Sequence, residues 1–353
     1  MTQPHINAIA TAVPPHEAHA VFREWAEAQI ADPRQRKLFG RMADRSGISH
    51  RWTVLAPPAD GSQTGFNGFY GRGMPPTSAR MAVYAKEAPD LVMQAAEGLG
   101  PLHEVTHLVL ASCTGFVAPG IDQIVARRLG LAPSVERTLV GFMGCYAAVA
   151  ALRTARHIVR SEPAARVLVV TVELCTLHLQ ADDAVDEILT MLLFGDGAAA
   201  AIVSADPVGI ALGDPFSATL PDSEDLIGWT IGDTGFDMTL SGAVPGHIRE
   251  AIASGVMRRA FGDPATVDGW AVHAGGRTVL DAVEQGFDLA PDALAESRAV
   301  LRDFGNMSSA TLMFVLARVL ADDRRVDNGV ALAFGPGLAI EGFRYRMHGR
   351  SGP

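Results

Sequence analysis

The chain alternates short, continuously apolar runs with longer stretches of helical period. THLVLAS (106–112), ARVLVVTVEL (165–174), GWAVHA (269–274) and GVALAFG (329–335) hold apolar residues at successive positions, which predicts strands buried on both faces. AAVAALRTARHIVR (147–160) and SSATLMFVLARVL (308–320) predict helices between them. Such alternation indicates an α/β fold whose sheets are covered by helices. The stretch 51–78, rich in Gly, Pro and Ser, reads as a long surface excursion. The stretch 206–245 mixes Gly, Asp and Pro with short strand-like runs and reads as the insertion opening the second half of the chain.

The order strand, long connection, Gly-x-helix, strand occurs twice. Val109 and Ala271 are 271 − 109 = 162 residues apart, Cys145 and Asn306 are 306 − 145 = 161 apart, and Val169 and Leu332 are 332 − 169 = 163 apart. A duplication predicts this near-constant offset. Two similar halves packed about a pseudo-twofold axis would set Cys145 and Asn306 at equivalent helix N-termini, facing one site.

Composition narrows the function classes. With 29 Lys+Arg against 39 Asp+Glu, the net charge is −10, which argues against a basic face for nucleic acid or anionic membrane. A 48% hydrophobic, 19% charged chain is not largely disordered, and no run reaches the roughly 18 apolar residues of a membrane helix. MTQPHINAIATAVPP has no basic start followed by an apolar segment, so no secretory signal is expected. Three cysteines without CxxC spacing fit a reducing cytosol, with neither a disulfide framework nor a zinc site. A cytoplasmic enzyme without metal or other cofactor is the expectation.

Cys145 lies in GFMGCYAAVAALRTA, where Gly141 and Gly144 permit a sharp turn into a helix. A thiol at a helix N-terminus feels the dipole and unpaired N–H groups, which favour thiolate and can hold an oxyanion. An inert buried cysteine is the competing reading. His273 closes a buried strand before Gly275 and Gly276 and could project into a cleft, or be an ordinary core histidine. Asn306, in DFGNMSSATLMFVL, could be a helix cap, but it echoes Cys145 in position. Together a Cys, a His and an Asn suit acyl transfer: thiolate attack on a thioester, an imidazolium supporting the thiolate, and amide and imidazole donors for an enolate or oxyanion.

The ordered strings ASCTGFVAPGIDQIVARRLGL, GFMGCYAAVAALRTA, VELCTL, LFGDGAAAAIV, WAVHAGGRTVLD, FGNMSSATLMFVL and LAFGPGLAIEGF resemble the type III polyketide synthases, the chalcone synthase-like family. The resemblance runs from about Ala20 to Arg344 and is strongest to bacterial long-chain alkylpyrone synthases. It implies a thiolase-like fold, in which duplicated βαβαβ halves form a layered α-β-α-β-α sandwich. The halves would be 1–205, carrying Cys145, and 206–353, carrying His273 and Asn306. It further implies iterative decarboxylative condensation of malonyl-CoA onto an acyl-CoA starter held on Cys145, cyclisation to alkylpyrones or alkylresorcinols, and a homodimer.

Residue by residue, the resemblance matches Cys145 to the acyl-carrying nucleophile, and His273 and Asn306 to the malonyl-CoA decarboxylating pair. Phe194 matches the gatekeeper aromatic, and Gly335, Pro336 and Gly337 the loop shaping the cavity. Arg41 and Arg45 match CoA-phosphate cations, with Leu38 where a third cation stands in the family; Gly275, Gly276 and Thr278 fall in the CoA-binding stretch. Cys113, Thr114, Cys175, His178, Trp229 and Met238 fall at cavity positions, Trp229 where chalcone synthases are small and Met238 where plant members carry a second gatekeeper Phe. Ala118 replaces a plant methionine that reaches into the partner subunit. Asp196-Gly197 reads as a structural turn, not a metal site. Alternatives within the fold are a malonyl-CoA-only aromatic synthase (tetrahydroxynaphthalene or phloroglucinol type) and a ketoacyl-carrier-protein synthase III-type priming enzyme. A catalytically silent thiolase-fold subunit and a cysteine hydrolase are the remaining readings.

Overall fold

A computed structural model describes residues 2–56, 65–70, 73–180, 185–322 and 324–348. The strands in chain order are β1 (His5–Ala12), β2 (His16–Glu17), β3 (Trp52–Thr53), β4 (His107–Ser112), β5 (Glu136–Gly141), β6 (Val167–Leu174) and β7 (Asp196–Ser204). They continue as β8 (Ile210–Thr219), β9 (Ile227–Gly232), β10 (Gly235–Leu240), β11 (Gly269–Val272), β12 (Val326–Gly335) and β13 (Ala339–Met347). Nine of them run in the order β11-β12-β13-β8-β1-β7-β6-β4-β5. The two halves of this array meet where His5 and Ile6 of β1 pair with Ala211 and Ile210 of β8.

The repeat is visible strand for strand. β1-β7-β6-β4 and β8-β13-β12-β11 share order and sense, with two antiparallel steps followed by a parallel one. Among the described residues β5 has no counterpart. Val109 pairs with Val169 and Ala271 with Ala331, so 271 − 109 and 331 − 169 both give 162. The equivalent of Val169 in the second half is therefore Ala331, and not Leu332 as the sequence comparison suggested. The helices Ala147–Ser161 and Ser309–Asp322 begin 309 − 147 = 162 residues apart as well.

Alternation inside the buried strands creates the layers. In β4 and β6, Val109, Ala111, Val167 and Val169 face a central core, while Leu108, Leu110, Leu168 and Val170 face an outer one. In β11 and β12, Ala271, Ala331 and Ala333 join that central core, while Trp270, Val330 and Leu332 face a second outer core. The central layer holds the two helices 147–161 and 309–322, lined by small residues such as Ala147, Ala148, Ala151, Ala155 and Ala310. Small side chains let two helices fit between two sheets; enlarging one by a few methylenes costs about 1–3 kcal/mol through overpacking. The result is the α-β-α-β-α sandwich.

The stretch 206–245 is more than an insertion. Despite Gly213 and Pro215, β8 is an inner strand of the sheet; a Cβ at Gly213 would stand 2.6 Å from the Arg344 carbonyl oxygen, so glycine permits the close pairing. β9 and β10 form a separate hairpin in which Trp229 and Met238 are cross-strand partners. In 51–78, β3 and the helices Gly65–Tyr70 and Thr77–Glu97 replace part of the expected excursion, while 57–64 and 71–72 lie outside the described residues.

Candidate active site

Cys145 follows a sharp turn. Phe142 (φ 56°) and Gly144 (φ 70°) are left-handed, and the turn Gly144–Tyr146 feeds the helix Ala147–Ser161. The second half repeats the device: Asn306 is followed by left-handed Ser308 (φ 47°) and the helix Ser309–Asp322. A third strained residue, Leu338 (φ 38°), closes the loop after Pro336. Non-glycine residues persist in this region only where surrounding packing imposes it. Here the packing is visible: a Cβ at Gly144 would collide with Pro336, and one at Gly335 would stand 2.7 Å from Tyr146 Cδ1 and 3.4 Å from the Cys145 nitrogen.

Cys145, His273 and Asn306 line one cavity, together with Gly275, Val279, Phe334 and Pro336. The His273 N–H donates to the Leu332 carbonyl at 2.7 Å just beyond β11, which aims the ring off the strand end. Both imidazole nitrogens are buried without a hydrogen-bond partner. Asn306 is fixed on both ends of its amide: Oδ1 accepts from Ser308 N–H at 2.9 Å, and Nδ2 donates to the Gly275 carbonyl at 3.2 Å.

Burial opposes the expected charged forms of both Cys145 and His273. It pushes the Cys145 thiol up to about 11, although the side chains of Ser308 and Asn306 act on it in the opposite direction. Burial likewise drives His273 down to about 3. Desolvation therefore works against both the thiolate that the helix N-terminus favours and the imidazolium that would support it, because burial disfavours the charged form of each group.

A second cavity is lined by Cys113, Thr114, Cys175, His178, Phe236 and Ser308. Phe194, Trp229 and Met238 line both cavities and form the wall between them. His178 belongs to the second cavity but has no free nitrogen: Nδ1 accepts from the Phe236 N–H at 3.1 Å, so Nε2 carries the hydrogen donated to the Thr114 carbonyl at 2.6 Å. The Phe236 ring stacks on it with centroids 4.0 Å apart. Cys113 Sγ accepts from the Gly144 N–H at 3.0 Å, directly behind the turn that carries Cys145. Burial pushes Cys113 and Cys175 well above the ordinary thiol range.

Glu173 escaped the sequence reading. Its Oε2 accepts from the Cys113 N–H at 2.9 Å and the Thr114 hydroxyl at 2.8 Å, and its Oε1 accepts from the Ser309 hydroxyl. Burial still raises it to about 7. A lone carboxylate in the continuously apolar run 165–174 was the available signal. Asp196, also fully enclosed, accepts from Thr176 N–H (2.8 Å), Val54 N–H (3.0 Å) and the Thr176 hydroxyl (2.7 Å), which makes it a structural clamp at the start of β7, where a turn was expected. Among the described residues no group of three His, Cys, Asp or Glu is placed to hold a metal.

The expected CoA residues are dispersed. Gly275 lines the first cavity and Gly276 is buried beside it, but Thr278 is exposed and Val279 faces the cavity in its stead. Arg41 and Arg45 are exposed on and just after the helix Pro33–Asp44. The Arg277 Nε donates to the Arg45 carbonyl, which joins the end of that helix to the start of the helix Arg277–Phe287, whose Val279 lines the first cavity. Arg277, exposed and paired with Asp281 at 3.1 Å, is a cation beside this stretch that the sequence reading passed over.

Comparison with known proteins adds the lineage. The N-terminal domain of chalcone and stilbene synthases matches residues 3–207, and their C-terminal domain matches residues 215–348. The chain belongs to the chalcone and stilbene synthase family. It is a type III polyketide synthase, an acyltransferase of a family that uses acyl-CoA and malonyl-CoA and needs no further cofactor. It is 34% identical over 334 residues to an "alpha-pyrone synthesis polyketide synthase-like Pks18" of Mycobacterium tuberculosis, covering 89% of this chain and 83% of that protein. It is 35% identical over 300 residues to a bisdemethoxycurcumin synthase of Oryza sativa subsp. japonica, covering 77% of this chain and 74% of that protein. The crystal structure of PKS-I from the brown alga Ectocarpus siliculosus superposes with a TM-score of 0.87 at 28% identity, over 98% of this chain and 99% of that one. The type III polyketide synthase domain of Steely1 from Dictyostelium shares the fold, with a TM-score of 0.87 at 24% identity, over 98% of this chain and 99% of that one. No helix among the described residues is long and apolar enough to cross a membrane.

Proposed function

We propose that this synthase loads a fatty acyl-CoA starter onto Cys145, extends it with malonyl-CoA and releases alkylpyrones, with alkylresorcinols as the secondary product class. The observation that carries this reading is the convergence of Cys145, His273 and Asn306 on one cavity, adjoining a second, largely apolar one across Phe194, Trp229 and Met238. The halves 1–205 and 206–353 each contribute: the first brings Cys145, the second His273 and Asn306.

Neutral His273, with both nitrogens unpartnered, takes the Cys145 proton as the sulfur attacks the starter carbonyl, and passes it to the departing CoA thiolate. Malonyl-CoA then loses CO2, and the enolate oxygen accepts hydrogen bonds from the His273 ring and Asn306 Nδ2. Its carbon attacks the Cys145 thioester; the new C–C bond forms as the C–S bond to Cys145 breaks. Phe194, Cys113, Thr114, Cys175, His178, Trp229, Met238, Gly335 and Pro336 shape the growing chain's surroundings, while Arg41, Arg45, Gly275, Gly276 and Thr278 receive CoA. The name of the mycobacterial relative supports a pyrone product.

A cytoplasmic homodimer completes the reading. It is supported by the exposed edge strand β5, whose Leu139 lies near exposed Phe142 and Phe116, the two rings 6.1 Å apart. Mass spectrometry of products from a panel of acyl-CoA starters with malonyl-CoA tests the assignment. Extension that persists in Cys145→Ala would overturn it, and aromatic products from malonyl-CoA alone would replace the starter class.

A further inference from the structure

On a chain of net charge −10, the helix Pro33–Asp44 and its cap Arg45 present a local positive stripe. Arg34, Lys37, Arg41 and Arg45 are all exposed, at spacings of three and four that align them along one side of the helix. Among the described residues none of the four is ion-paired; Asp44 is engaged elsewhere, with Arg23 at 2.7 Å. Beside the stripe Leu38 and Met42, one turn apart, are 42% and 44% exposed, while Phe39 and Ala43 on the inward side are buried. The stripe is about 16 Å long at helical rise. Its end is held through the Arg45 carbonyl by Arg277, two residues from Gly275 and from Val279, which line the first cavity.

A CoA nucleotide accounts for cations at the rim, but not for a cationic stripe of this length flanked by two exposed apolar side chains. That combination complements an acidic amphipathic helix, whose carboxylates would face the stripe and whose apolar residues would cover Leu38 and Met42. Because the patch adjoins the cavity mouth, its partner is one that delivers something to Cys145. We propose that this face docks an acidic acyl carrier protein, which presents the starter on its phosphopantetheine arm. The step is a transthioesterification: the C–S bond to Cys145 forms, the C–S bond to pantetheine breaks, and the Cys145 proton leaves on the pantetheine thiol. This inference rests on the acyl-transfer reading above and names a second donor for it.

The test compares three donors with malonyl-CoA: decanoyl-CoA, decanoyl-pantetheine, and a decanoyl group on a phosphopantetheinylated, fatty-acid-type carrier protein. The expected kcat/KM for the carrier-bound donor exceeds that for decanoyl-pantetheine by at least about tenfold and falls steeply between about 50 and 300 mM salt. Met42→Asp and Arg34→Glu, both surface changes checked by unaltered circular dichroism, lower it by roughly tenfold and change the decanoyl-CoA value by less than about twofold. A carrier-bound donor no better than decanoyl-pantetheine overturns the proposal, as does an equal loss on both donors in Met42→Asp. Binding to phosphatidylglycerol vesicles that is lost in the variants without any change in carrier kinetics assigns the face to a lipid surface and overturns it too. Extension from decanoyl-CoA alone removes only the carrier, whereas no extension from any donor removes the acyl-transfer reading itself.

Discussion

Phe194 and Asn306 are tied backbone to backbone across the boundary between the halves. Asn306 N–H donates to the Leu193 carbonyl at 2.8 Å, and Gly195 N–H donates to the Asn306 carbonyl at 3.0 Å. The aromatic wall between the cavities and the amide beside Cys145 therefore share one rigid bridge. Buried Arg51 braces the same peptide by donating to the Phe194 and Met191 carbonyls. Separation of the acyl cavity from the reacting cavity is thus set by backbone geometry as well as by side-chain size.

Asn306→Asp tests how much the amide's donor matters. The change sets a carboxylate oxygen against the Gly275 carbonyl in place of the 3.2 Å donor, leaving two buried acceptors face to face. The expected cost is about 2 kcal/mol in urea unfolding, together with loss of malonyl-CoA decarboxylation followed by CO2 release.

Alkylation of Cys145 reports its protonation. With the thiol pushed up to about 11, iodoacetamide inactivation accelerates with rising pH from 7 toward 11, since only the thiolate reacts. A rate already level below pH 7 would mean that a thiolate–imidazolium pair exists at rest.

Glu173→Gln separates burial from charge. The folded-state value near 7 lies above the unfolded carboxyl's 4.5, so the folded protein holds the proton longer than the unfolded chain. Glu173 therefore makes stability fall as pH rises between about 4.5 and 7, by a few kcal/mol in total. Gln cannot ionise. The stability of the variant relative to the parent, measured by urea unfolding, is expected to rise from pH 5 to pH 8, and a difference independent of pH would contradict the shift.

Gly144→Ala places a methyl against Pro336 and forces alanine into φ 70°. A loss of about 2–3 kcal/mol is expected, with activity falling by about a hundredfold or more as the turn carrying Cys145 shifts. Thermal unfolding and starter-loading kinetics measure the two effects.

Trp229→Ala removes the largest side chain shared by both cavities. Products are expected to shift toward longer starters or additional extensions, read by mass spectrometry, with starter loading changed little. An unchanged product distribution would mean that Phe194 and Met238 alone form the wall.

The apolar runs at 106–112, 165–174, 269–274 and 329–335 located β4, β6, β11 and β12, although β11 ends at Val272, and helical periodicity located both central helices, because these are local signals. The duplication was legible for the same reason, and with it the pairing of Cys145 with Asn306. Features that depend on neighbours brought together from distant parts of the chain came only with the folded arrangement. Leu332 yielded to Ala331 because register is set by the ladder and not by residue identity. Burial, which no short string encodes, pushes the Cys145 thiol up and the His273 imidazole down and so opposes the thiolate and imidazolium expected of the two groups. Glu173 emerged only once Cys113, Thr114 and Ser309 were gathered around it. The wall between the cavities exists because Trp229 and Met238 face each other across a hairpin that folds back over Phe194.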